Sequence, residues 1–107
     1  MVIVEEKIAL GATYTYRNGK KETVVLNASA DEWSQVRQAL LDVLDGAVGV
    51  TVPVNGNHVA FEKIHGVYPY ADCVKMISSH ERSSWKVWMT VGDAFELAYE
   101  IERNVGK

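Results

Sequence analysis

Apolar residues recur along this chain with two different periods, and the points where the period changes divide it into elements. Val2, Val4, Ile8 and Leu10 alternate, with Glu6 on the same parity, which predicts a strand carrying a bulge or forming an exposed edge. In "TYTYRNGKKETVVL" two alternating runs flank Asn18-Gly19, a pair suited to a type I′ turn because that turn demands positive φ at both central positions. A hairpin is expected there. The period then lengthens in "NASADEWSQVRQALLDVLDGA", where Trp33, Val36, Leu40, Val43 and Leu44 repeat at helical spacing up to Gly46. Ser29 and Glu32 stand in front of that run as a capping box, so the helix starts at Ser29.

Alternation returns in "AVGVTVPVNGNHVAF", with Val48, Val50, Val52 and Val54 on one parity and a turn at Asn55-Gly56-Asn57 before Val59 and Phe61. This predicts a second hairpin. Pro53 has no amide hydrogen and belongs where that amide would face away from a partner strand. Gly66 and Pro69 break the next segment, and a strand resumes from Tyr70 to Ile77. The polar run "SHERSS" leads into a strand from Trp85 to Met89, and Thr90 with Asp93 repeats the capping signature ahead of a helical face of Phe95, Leu97, Ala98 and Ile101 that ends near Gly106.

Hairpins segregated from two helices predict an α+β fold: an antiparallel sheet of about six or seven strands built from hairpins, with two helices packed on one face. Both halves of the chain end in strands followed by a capped helix, but aligning Ser29 with Thr90 gives few identities, so residues 1–107 read as one α+β domain and not a duplication.

Composition narrows the function classes. The chain has 107 residues, 48% of them hydrophobic, and a net charge of -3, which suits one core and gives no general attraction for polyphosphate. No nucleic acid is expected as partner, although Arg17, Lys20 and Lys21 form a local basic group. Cys73 is the single cysteine, so no internal disulfide can form. The amino terminus "MVIVEEKIAL" has acidic residues where a secretory leader needs basic ones, and no apolar run reaches membrane-spanning length. The expectation is a cytoplasmic protein, of a microbe or of a virus-infected host cell, without a membrane partner.

The stretch "HERSSWKVWMT" holds the main candidate site. Trp85 and Trp88 are three residues apart, so on a strand they point to opposite faces. If Trp85, Val87 and Met89 face the core, then Lys86, Trp88 and Thr90 occupy the other face; the alternatives are that the long Lys63 to Asp72 segment covers Trp88 there, or that the reverse assignment puts Trp88 in the core. Helices on one side of an antiparallel sheet leave the second face open, and a large indole beside a lysine there would mark an interface. Tyr14 and Tyr16 share one parity and pose the same choice between core and aromatic platform.

Other chemistry is thin. His58, Glu62 and His65 fall within eight residues, but on a strand His58 and Glu62 sit about 13 Å apart and His65 has the opposite parity, so no metal is assigned. Cys73 has Asp72 and Val74 as neighbours and only Lys75 as a nearby base, the setting of a structural thiol and not of a nucleophile. His80, Glu81 and Arg82 match an anion clamp in residue type alone. No glycine-rich phosphate loop, nucleophile elbow, paired-carboxylate set or C-x-x-C is present, so no cofactor is expected and no enzymatic reaction is specified.

Function therefore follows from class arguments. Three Trp, five Tyr and two Phe exceed what one small sheet face and two short helices bury, which favours a non-enzymatic binding protein that self-associates, as a dimer, through an exposed sheet face or edge strand and captures another protein through an aromatic-containing sheet face or loop surface. Inhibitors encoded by viruses or mobile elements are of this type. The candidate contact residues are Trp88, Lys86, Tyr68, Tyr70 and Arg82. The alternative is a pocket for a small polar ligand, a nucleotide or sugar, bound with or without hydrolysis, lined by Tyr68, Tyr70, His65, His80 and Arg82.

Overall fold

The fold is that of a computed structural model, which describes residues 7–15, 19–55, 57–65, 72–79 and 85–105. Within these residues the side chains of Tyr14, Thr15, His65, Asp72, Cys73, Ser79, Trp85 and Lys86 are not described. In chain order the elements are strands β1 (Lys7–Thr15) and β2 (Lys21–Ser29), helix α1 (Ala30–Leu44), strands β3 (Val50–Val54), β4 (Asn57–His65), β5 (Asp72–Ser79) and β6 (Trp85–Thr90), and helix α2 (Val91–Val105). The α+β class holds. The six strands form two antiparallel sheets, however: a β1-β2 hairpin and a four-stranded sheet in the order β3-β4-β5-β6.

Both helices begin where the sequence places their caps, because each cap is a local contact between residues three apart. The Ser29 hydroxyl accepts from the Glu32 amide at 3.1 Å while a Glu32 carboxylate oxygen accepts from the Ser29 amide at 2.9 Å. Thr90 and Asp93 make the same pair of bonds, at 2.9 and 3.3 Å, in front of α2. Glu32 does more than cap. Its other oxygen accepts from the Asn55 amide in the β3–β4 turn at 2.9 Å, and Lys7 of β1 lies 3.6 Å away. Burial alone would raise the Glu32 pKa, but the Ser29 and Asn55 amides and the Lys7 charge outweigh it, so the pKa is lowered from 4.5.

The core lies between the helices and one face of the strands. Trp33 and Leu40 on α1, Phe61 on β4, Met76 on β5, Met89 on β6 and Ile101 on α2 are each at most 1% exposed. Each such side chain contributes about 1.5–3 kcal/mol through burial. The Trp33 indole also donates to the Ile8 carbonyl of β1 at 2.8 Å, so a side chain takes up a main-chain acceptor on that strand. β1 packs against α2 and β6, and among the described strands it pairs with β2.

Several expectations are corrected. The β1-β2 register pairs Thr15 with Lys21, which leaves five residues between them, and a two-residue Asn18-Gly19 turn cannot leave an odd number. Gly19 has a positive φ of 88°, while Tyr16, Arg17 and Asn18, on which the predicted turn falls, lie outside the described residues. Val48 does not belong to the strand; it is 93% exposed and β3 begins at Val50. Phe95 is not part of the buried helical face, which consists of Asp93, Ala94, Leu97, Ala98 and Ile101.

The second hairpin forms as expected. Val54 pairs with Asn57 around a two-residue connection, with Asn55 at a φ of 48°. In a hairpin of that length the closing pair is the hydrogen-bonded one, so the next pair, Pro53 with His58, needs no bond from the proline nitrogen. Pro53 accordingly sits on β3, the edge of its sheet. No helix among the described residues is long and apolar enough to cross a membrane.

Candidate functional site

Alternate residues of the four-stranded sheet go to opposite faces, and burial identifies which face meets the helices. Val52, Val59, Phe61, Val74, Met76, Val87 and Met89 are buried under α1 and α2. The other parity therefore belongs to the face without helices: Ala60, Glu62 and Ile64 on β4, Lys75 and Ile77 on β5, Trp88 and Thr90 on β6. Of the two assignments open for the strand Trp85 to Thr90, the one with Val87 and Met89 in the core is found, and Trp88 lies on the opposite face, half-buried.

The register then builds a specific row. Glu62 pairs with Lys75 across β4 and β5, and Lys75 pairs with Trp88 across β5 and β6, so an acid, an ammonium and an indole stand side by side on three strands. The Lys75 ammonium is 5.4 Å from the Trp88 ring centroid, within cation–π range. Ala60 pairs with Ile77 in the adjacent row on one side, and Ile64 lies on β4 beyond Glu62 on the other. Ala60, Ile64 and Ile77 are half-buried apolar side chains, so a strip of aliphatic and aromatic surface surrounds the Glu62–Lys75 pair.

The strip presents Glu62, Lys75 and apolar area contributed by three strands. Neither a nucleophile–base pair nor an oxyanion-stabilising pocket is formed by these residues. Among the described residues no group of three or more His, Cys, Asp or Glu side chains converges as a metal site. His58 and Glu62 are both exposed on β4, on the same face as Trp88.

Of the residues singled out from sequence, Trp88 is the one whose side chain is placed. Lys86 pairs with Ile77 on the Trp88 face, and His65 ends β4 opposite Asp72, but the side chains of both lie outside the described residues. Tyr16, Tyr68, Tyr70, His80 and Arg82 lie outside the described residues altogether, as do the side chains of Tyr14 and Cys73. Lys75, Ile77, Glu62 and Ile64 were not singled out as contact residues. The parity of "VKMIS", with Val74, Met76 and Ser78 inward, assigns Lys75 and Ile77 to the Trp88 face, but their position beside Trp88 depends on the strand order. Comparison with protein-family models, with curated proteins and with solved structures finds no match to this chain.

Proposed function

We propose that this protein is a non-enzymatic binding module that receives another protein on the helix-free face of its four-stranded sheet. The observation that carries the reading is Trp88, an indole on the face away from the helices, with the Lys75 ammonium 5.4 Å from its ring. Trp88 stands at the β6 end of the Glu62–Lys75–Trp88 row, and tryptophan is among the residues enriched as interface anchors. Glu62 and Lys75 give the strip both signs of charge, which selects a partner by complementarity and not by net attraction.

The test begins with immobilised wild-type protein exposed to a lysate of its source cells, followed by calorimetry on the purified retained partner. Trp88→Ala and Lys75→Glu are expected to weaken that partner's affinity by at least ~10-fold, about 1.4 kcal/mol. Their melting temperatures stay close to that of the wild type. A partner held equally well by both variants overturns the reading, and so does the absence of any partner that distinguishes them from wild type.

A further inference from the structure

The outer surface of α2 carries an apolar feature unrelated to the sheet face. Phe95 is 53% exposed and Tyr99 60% exposed, one helical turn apart, while Leu97, Ala98 and Ile101 of the same helix are buried. The other exposed large apolar residues among those described, Val25 and Val48, belong to the first hairpin and to the turn after α1. Beside Phe95 and Tyr99 runs a shallow groove of about 180 Å³ between the two helices, floored by Leu41 and Ala98. The ion pair of Arg37 with Glu102, at 3.6 Å, lies at its rim.

The charge order along α2 says what fits this surface. Glu96 and Arg103 are seven residues apart, two helical turns, so they share the outer stripe with Tyr99 between them. Glu96 toward the amino-terminal end and Arg103 toward the carboxy-terminal end make this stripe complementary to itself when a second copy runs antiparallel, with Glu100, bonded to Arg103, and Glu102, paired with Arg37, on its flanks. Placing Glu96 of each copy opposite Arg103 of the other sets the two Tyr99 rings beside the two-fold axis, as an isologous contact requires. A parallel arrangement would oppose arginine to arginine. Antiparallel helices also oppose their macrodipoles favourably.

We infer that the outer stripe of α2 is a homodimer interface, closed by an antiparallel two-fold contact of Phe95 and Tyr99 with reciprocal Glu96–Arg103 pairs. Arg103 is already held for that contact, with its guanidinium 5.7 Å from the Tyr99 ring and 3.1 Å from a Glu100 oxygen. Ordering it beforehand reduces the entropy lost on association. A helix of 15 residues is about 22 Å long, so the area buried falls short of the ~800 Å² per partner of a standard interface and the dimer is weak and micromolar. The inference is independent of the sheet-face reading, because the stripe lies on the opposite side of the helix layer.

Sedimentation equilibrium from about 1 μM to about 1 mM decides it. The wild type is expected to dimerise with a micromolar Kd, and Tyr99→Ser to raise that Kd by at least ~10-fold without changing the melting temperature measured on monomer. Arg103→Glu and Glu96→Arg each weaken self-association alone, and an equimolar mixture of the two restores it as a heterodimer, since each copy then meets its opposite charge twice. Wild type that stays monomeric over the whole range overturns the proposal. So does a dimer that survives Tyr99→Ser but is lost on Trp88→Ala, or a mixture of charge variants that fails to restore association.

Discussion

Met89 and Trp88 are neighbours on one strand, and the contrast between them is the contrast between the two faces of the sheet. Met89 is 0% exposed beneath the helices, whereas Trp88 turns to the helix-free face and stops at half-burial beside Lys75. The covered face is apolar apart from the buried Ser78 hydroxyl and the half-buried Lys63. The other face mixes Glu62 and Lys75 into apolar surface, with Lys75 gaining a cation–π contact from Trp88. Side chains of the covered face hold the fold together; those of the other face meet no helix among the described residues.

This contrast predicts a graded mutational response, and the largest effects belong to the covered face. Phe61→Ala should cost about 3–5 kcal/mol and lower the urea midpoint accordingly. Met89→Ala should cost about 2–5 kcal/mol by the same transfer and cavity terms, read from the same denaturation curves. A Phe61 or Met89 truncation without a clear loss of stability would remove the distinction between the faces.

A middle grade belongs to Glu32, which joins α1, the β3–β4 turn and β1. Glu32→Gln should cost about 1–2 kcal/mol at neutral pH, since the buried Ser29 amide, the exposed Asn55 amide and Lys7 lose a charged acceptor. The folded pKa is lowered from 4.5, so the stabilisation is present above the unfolded value and lost as pH falls through the folded one. The gap between wild type and Glu32→Gln in urea midpoint should therefore be full above about 4.5 and close in more acidic solution. Thr90→Ala, which deletes the α2 cap, should cost about 1 kcal/mol by thermal unfolding. The smallest effect belongs to the helix-free face: Trp88→Ala should lower stability by no more than ~1 kcal/mol, the order of one cation–π contact, a shift of a few degrees in Tm. A loss as large as that of Met89→Ala would place Trp88 with the core.

How much of this was legible in the sequence follows from the range of each contact. Ser29 with Glu32 and Thr90 with Asp93 are bonds across three residues, so both helix starts could be read directly, as could the Asn55 turn. The edge position of Pro53 and the split into two sheets could not, because strand order is set by contacts between residues far apart in sequence, such as the Trp33 bond to Ile8 across 25 positions. Phe95 looked like core because it keeps helical spacing with Ala98; which stripe of α2 meets α1 and the strands is decided by packing, and Phe95 lies at its margin. The site was half legible. Parity put Trp88 opposite Met89, but its neighbour Lys75 is thirteen residues away in sequence and became visible only with the β4-β5-β6 order.

The most direct test of the sheet-face account is a nitrogen- and methyl-labelled NMR titration of this protein with the partner retained by the wild type. The account predicts the largest shift changes at the Trp88 indole and at Ala60, Ile64, Lys75 and Ile77, with little change on the outer surfaces of α1 and α2. Changes concentrated on the helices, with the Trp88 indole unmoved, would contradict it.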